Sequence, residues 1–321
     1  MMVLLIITAS LYTLFSGLAG YSILRKFQLN FGNTLAGIIA GFFVVEIISL
    51  TIFFIFSYSF NTGFWVSYLA FLIPLFFTKI NYKFLEDVYF GLKKDFSVDI
   101  VVVFIFIYGY YVFEANTLIQ AVLTFNGVIW QDIIYHAGII NSIMEYGYPI
   151  KDLQYSGAIL KYHIFPHFIC AKLSYLTHGD PSAIYIVILP FMNIFFLVSI
   201  MKAMASRHLD IQYLNIGKRI LLLLTIAFIV LFGNFLFTKG LSNKITMYFF
   251  LSLSYQLQTV VLSIIILFLD KIDRTFNYIL KTKDYIILIL FFSISIITKG
   301  SSLTVLASSF GLYFVFKFYF N

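Results

Sequence analysis

Long apolar runs separated by short polar or charged stretches set the pattern of this chain. A helix satisfies its own backbone hydrogen bonds, and about 20 mostly apolar residues carry it across the hydrocarbon of a bilayer. The runs predict spans near 3–22, 33–57, 63–78, 99–114, 181–200, 219–237, 247–269, 285–298 and 302–320. The third, fourth and eighth are short for a crossing, which marks them as candidates for re-entrant segments or for helices extended into their flanking loops. The expected fold class is therefore all-α, a polytopic transmembrane helix bundle of about nine spans.

The same pattern divides the chain into a three-span N-terminal block over residues 1–98 and a second block over 99–321. A charged connection near 79–99 joins them. The second block contains a long connection at 115–180, well beyond the roughly 12–15 residues usual for a loop without function. Within it, residues 131–146 place Ile133, Ala137, Ile140 and Met144 at helical spacing, and Gly147 and Pro149 end the run. A second helix is expected from about Phe165 to Leu176, with Pro166 in its first turn and Gly179-Asp180-Pro181 closing it and opening the next span. Both are expected to be interfacial helices lying along the outer membrane surface, where the many tyrosines of this connection and Trp130 also settle.

Composition agrees with the pattern: 61% of the 321 residues are hydrophobic and only 11% charged, a balance that no water-soluble fold could hide. The charge adds an orientation. With the N-terminus outside, the cytoplasmic side collects fifteen of the 21 basic residues, among them Arg25, Lys26, Lys93, Lys94, Lys202, Arg207, Lys218 and Arg219. The other side keeps Lys151, Lys161, Lys172, Lys239, Lys244 and Lys299, so the 115–180 connection is expected to be extracytoplasmic. The formal net charge of +7 follows from this asymmetry and from anionic lipid at the inner surface, and is no argument for nucleic acid. The first apolar run lacks a preceding positive residue and is followed by Arg25 and Lys26, the reverse of a secretory signal peptide, so it is read as a retained span. The single cysteine, Cys170, has a packing role on this reading.

Candidate chemistry concentrates in the long connection. Asp132 opens the first expected helix and, if helical, shares a face with Tyr135 and His136. It reads either as a general base or as a first-turn acid held by backbone N–H groups and the helix dipole. Lys161, Tyr162, His163 and His167 form a second cluster, suited to a lipid phosphate because lysine offers charge and histidine a donor that titrates near neutral pH. Pro166 argues against a continuous helix through His163 and His167. No metal is expected; a divalent ion held by Asp132, His136, His163 and His167 is chemically allowed but matches no standard ligand spacing. Glu46, Glu114 and Asn193 are polar groups at or near membrane depth, Glu46 the clearest, and Lys239 and Lys299 either project over an outer cavity or snorkel to the surface.

The run from Trp130 through Gln131, Asp132 and Tyr135 to His136, then Tyr162-His163 and Gly179-Asp180-Pro181 leading into a span, resembles the polytopic bacterial glycosyltransferases of the C-type (GT-C) superfamily over residues 99–200. The resemblance implies a polyprenyl-phosphate-linked sugar as donor, a glycan, lipid or protein as acceptor, and a site on the outer face of the bacterial inner (plasma) membrane. It implies Asp132 as the base on the acceptor hydroxyl and matches His136, Lys161 and His163 to its site. The chemistry of glycosyl transfer then suits Lys161, His163 and Lys299 as donors to the departing lipid phosphate, and His136 and His167 join them as phosphate-binding candidates. The chain departs from many members in placing this connection after its fourth span and in carrying Gln131 and Ile133 where a paired acid is common. Its last apolar run reaches Asn321, which reads either as a short member or as one lacking a C-terminal portion used for acceptor recognition. A flippase or transporter of lipid-linked sugars, and a structural subunit of a membrane assembly, are the competing readings from other classes.

Overall fold

The computed structural model describes residues 2–29, 31–60, 63–74, 82–124, 131–147, 149–150, 164–209, 213–237, 253–274 and 282–298. Every regular element among them is a helix. Three are long and apolar enough to cross a bilayer: Val3–Lys26, Thr34–Ser59 and Pro181–Arg207. A fourth crossing is available if Tyr82–Asp95 and Val98–Glu114, bent by 67° at their junction, act as one.

The chain opens with α1 (Met2–Lys26) and α2 (Thr34–Phe60), an antiparallel hairpin whose two backbones touch. Contact at that range requires glycine on both sides, the general device by which small residues let membrane helices approach. A Cβ placed on Gly20 would lie 1.9 Å from the Gly41 carbonyl oxygen, and one on Gly41 would lie 2.4 Å from the Gly17 oxygen. The opposite side of α1 is just as apolar yet open: Val3, Leu4, Ile7, Leu11, Leu14 and Phe15 form an exposed stripe at helical spacing. An apolar exterior over an apolar interior is what a bundle shows when its solvent is lipid.

The described part of the third predicted span, residues 63–74, opens in a different form. Phe64–Leu72 is a 3-10 helix that buries Phe64, Val66, Ser67 and Ala70 and packs along α2. At about 2 Å of rise per residue its nine residues extend roughly 18 Å. The charged connection is regular from residue 82 to 95. It forms α3 (Tyr82–Asp95), whose Gly91 seats against Thr34 at the start of α2 and which exposes Tyr82, Leu85, Tyr89 and Phe90 among its charges. Asp95 caps α2 directly, its Oδ2 accepting from the Thr34 N–H at 2.5 Å and the Leu35 N–H at 3.3 Å.

Next come α4 (Val98–Glu114), α5 (Asn116–Thr124), α6 (Gln131–Tyr146) and α7 (Phe165–Thr177). The stretch α8 runs on through Pro181–Ala183, a π turn at Ile184–Ile188 and Leu189–His208. It is followed by α9 (Ile216–Phe237), α10 (Leu253–Arg274) and α11 (Thr282–Thr298). The expected last span, 302–320, lies outside the described residues.

Helix α6 agrees with its expected amphipathic form. Ile133, Ile139, Ile140 and Ile143 are buried, while Ile134, Asn141, Glu145 and Tyr146 face outward. Helix α7 overturns its expectation. Every residue from Phe165 to Ser174 is buried, so this helix threads the interior of the bundle instead of lying on its surface. The sequence cue was correct about its ends: Pro166 sits in the first turn, and Asp180 caps the next helix by accepting from the Ala183 N–H at 2.9 Å.

The π turn in α8 follows from Pro190. Proline brings no N–H, so the Ile186 carbonyl four residues earlier loses its usual donor. Two tyrosines of α4 serve this stretch instead: the Tyr111 hydroxyl donates to the Ile186 oxygen at 2.5 Å and the Tyr108 hydroxyl to the Val187 oxygen at 3.2 Å. A Tyr111→Phe chain is expected to lose about 1–3 kcal/mol of stability, because the carbonyl stays buried without its donor. Denaturant titration in micelles measures the difference, and a midpoint equal to wild type would contradict this account of the turn.

Candidate functional site

Helix α6 begins at Gln131, which puts Asp132 in its first turn and one helical turn ahead of His136. His136 projects toward α7 and meets His167 there, Nδ1 of the first 2.8 Å from Nε2 of the second. One ring donates and the other accepts, so at most one proton occupies the space between them. His167 is fully buried, whereas His136 is half-buried and is the ring a ligand would meet first. Tyr185, carried by the π turn, stacks on both rings, with centroids 4.7 Å from His136 and 5.8 Å from His167. Tyr135 flanks His136 at 5.9 Å. A π turn often marks a functional position in a helix, and here it supplies the aromatic floor of the histidine pair.

Sequence spacing brought Asp132 and His136 together on α6; that His136 would pair with His167, 31 residues away, is visible only in the fold. Lys161, Tyr162, His163 and Lys299 lie outside the described residues, as do Trp130 and Lys239. Among the described residues no group of three or more His, Cys, Asp or Glu side chains is arranged to hold a metal ion. Cys170 is buried and free.

A second polar centre lies five residues beyond His167. Lys172 is fully buried, and its Nζ stands 3.2 Å from Glu46 Oε2 and donates to Ser49 Oγ at 2.8 Å. Glu46 also accepts from the Tyr12 hydroxyl at 2.5 Å and the Ser16 hydroxyl at 3.0 Å. Four rings surround the ammonium, those of Tyr12, Tyr68, Phe71 and Phe168, at 5.1 to 5.8 Å from Nζ to centroid. Glu46 stands twelve residues from the start of α2 and fourteen from its end, so the pair sits level with the middle of that helix. Lys172 is thus no outer-surface residue, contrary to its place in the charge distribution. Its signal was present in the sequence: it is the lone charge in the apolar run FPHFICAKLSYLT, as Glu46 is in its own span. Two isolated opposite charges in apolar runs invite pairing, because each alone is costly in lipid. Of the other membrane-depth polar groups, Glu114 is exposed, and Asn193 is buried with no hydrogen bond to its side chain among the described residues.

Opposite in character is the end of the bundle where α1, α3 and α8 finish and α2, α4 and α9 begin. Lys202 donates to Asp99 Oδ1 at 3.1 Å, and Arg219 Nε stands 3.7 Å from Asp99 Oδ2. Arg207 donates to the carbonyls of Leu267 and Phe31. Arg25 and Asp87 form an exposed pair at 3.0 Å. Comparison of the chain with protein-family models, curated proteins and solved structures finds no match.

Proposed function

We propose that this chain is a multi-pass membrane glycosyltransferase of the GT-C type, moving a sugar from a polyprenyl-phosphate-linked donor to an acceptor on the extracytoplasmic face of a bacterial inner membrane. The observation that carries the reading is the start of α6 at Gln131, with Asp132 in its first turn, one turn ahead of a histidine that pairs with His167 on α7. On this reading the Asp132 carboxylate takes the proton of the acceptor hydroxyl as its oxygen bonds to the anomeric carbon. The bond from that carbon to the donor phosphate breaks on the opposite side, the polyprenyl phosphate leaves with the electron pair, and the anomeric configuration inverts. His136, with His167 behind it, and Lys161, His163 and Lys299 are the donors assigned to the growing phosphate charge. No divalent metal is assigned. The sugar and acceptor are to be identified by assay.

The test is sugar transfer by purified protein in lipid with a panel of polyprenyl-phosphate sugars. Asp132→Asn should reduce the rate by roughly 10²–10⁴-fold, the usual range for loss of a general base, while donor binding persists. Equal rates would remove Asp132 from the mechanism. One observation favours a second reading, a transporter of lipid-linked sugars: the Glu46–Lys172 pair is a buried charge at mid-helix, where carriers keep their coupling groups. No transfer with any donor, together with movement of lipid-linked sugar across vesicles, would establish that reading instead.

A further inference from the structure

Helix α7 is buried from Phe165 to Ser174, with the rings of Phe165 and Phe168 packed against Phe43, Phe53 and Phe64. Two polar side chains add direction to that packing. His167 and Lys172 are five residues apart, roughly 140° around the helix at 3.6 residues per turn, so they address different neighbours. His167 meets α6 and the π turn of α8, while Lys172 meets α1, α2 and the 3-10 segment. The residue is held twice, since the Tyr68 hydroxyl donates to the Lys172 carbonyl at 2.7 Å.

We infer that Glu46 and Lys172 are positioning residues for the candidate site: their ion pair in its aromatic box fixes α7 in register, and thereby holds His167 against His136. A buried ion pair is a poor device for stability alone, because apolar residues of similar size usually do as well or better. What it supplies is direction. The ammonium must reach one carboxylate, one hydroxyl and four ring faces at once, and only one setting of α7 achieves this. Position is its output. The bearing on sugar transfer rests on the function proposed above, but the histidine geometry does not, so the experiment uses no sugar.

Two readouts separate holding from positioning. Cys170 lies on α7 between the two residues and is the sole thiol of the chain, so its alkylation by N-ethylmaleimide in proteoliposomes reports whether α7 leaves its seat. For position, cysteines at 136 and 167 in a Cys170→Ala background are bridged by a short bifunctional thiol reagent. Glu46→Gln or Lys172→Met, each leaving a buried partner, should speed Cys170 alkylation by at least about tenfold and suppress bridging. The double variant Glu46→Leu/Lys172→Met should recover the slow alkylation of the wild-type chain, yet bridge 136 to 167 poorly. Full recovery of bridging in the double variant would reduce the pair to packing and overturn the inference. So would unchanged bridging in the single variants, or failure to bridge with Glu46 and Lys172 intact. Absence of sugar transfer by the wild-type chain would count against the proposed function and leave this result standing.

Discussion

A Gly20→Leu chain is expected not to assemble the α1–α2 hairpin. The first carbon of any side chain at this position would come within 1.9 Å of the Gly41 carbonyl oxygen and 2.5 Å of its carbon, where unbonded carbon contacts normally lie at about 3.5–4 Å. Overpacking against movable side chains typically costs about 1–3 kcal/mol. Here the obstacle is backbone, and the neighbouring contacts are no softer: a Cβ on Gly17 would meet the Ile38 oxygen at 2.8 Å. The helices would have to separate along the whole seam, so alanine should already be harmful and leucine fatal. Gly109 on α4 is the control, since a Cβ there meets nothing within 4 Å. Gly109→Leu should fold normally and gain up to about 1 kcal/mol in helix propensity. Size-exclusion chromatography in detergent distinguishes them. A monodisperse peak for Gly20→Leu would mean that the hairpin is looser than its backbone contacts require.

That hairpin illustrates what could be read from the sequence and what could not. Apolar run length located α1, α2 and the long stretch of α8, because lipid imposes a length on any helix that crosses it. It does not reveal that Phe64–Leu72, already short for a crossing, winds as a tighter 3-10 helix, or that the charged connection holds an amphipathic helix over Tyr82–Asp95. Helix α6 was legible because one of its faces is open, so its pattern is periodic. Helix α7 is closed on all sides from Phe165 to Ser174, and a helix buried on every face has no polar stripe to declare where it lies. The aromatic-rich connection that carries it points to the membrane surface; its place is inside.

The site divides along the same line. Neighbours along one helix, such as Asp132 and His136, follow from spacing. Pairs between helices do not. His136 with His167, and Glu46 with Lys172 across 126 residues, depend on how α7 enters the bundle. Pro190 stands between these cases. Its cost to the helix is readable in the sequence, but the tyrosines of α4 that offset it, and the π turn that aims Tyr185 at the histidines, emerge only from packing.

Asp99→Ala is expected to destabilise the bundle by about 3–5 kcal/mol, the range for breaking a buried ion pair from one side. Asp99 is fully buried and answers two cations from two helices, Lys202 on α8 and Arg219 on α9, while Ser97 also bonds its carboxylate. Its removal leaves Lys202, itself almost fully buried, facing Arg219 with no anion between them. The backbone oxygen of Asp95 and the Ser97 hydroxyl still accept from Lys202, which places the loss nearer the lower end of that range. Lys202→Met should cost less, since Arg219 remains 3.7 Å from the carboxylate. If the groups act as one network, the double variant will lose less than the sum of the two singles, with a coupling of about 0.5–3 kcal/mol. Arg25–Asp87 provides the scale. With side chains 40% and 44% exposed, that pair should yield only about 0–1 kcal/mol when cut by Asp87→Ala. Denaturant titrations of the four variants in one detergent compare them directly. Equal losses for Asp99→Ala and Asp87→Ala would show that water reaches Asp99 and that the junction of α4, α8 and α9 is open.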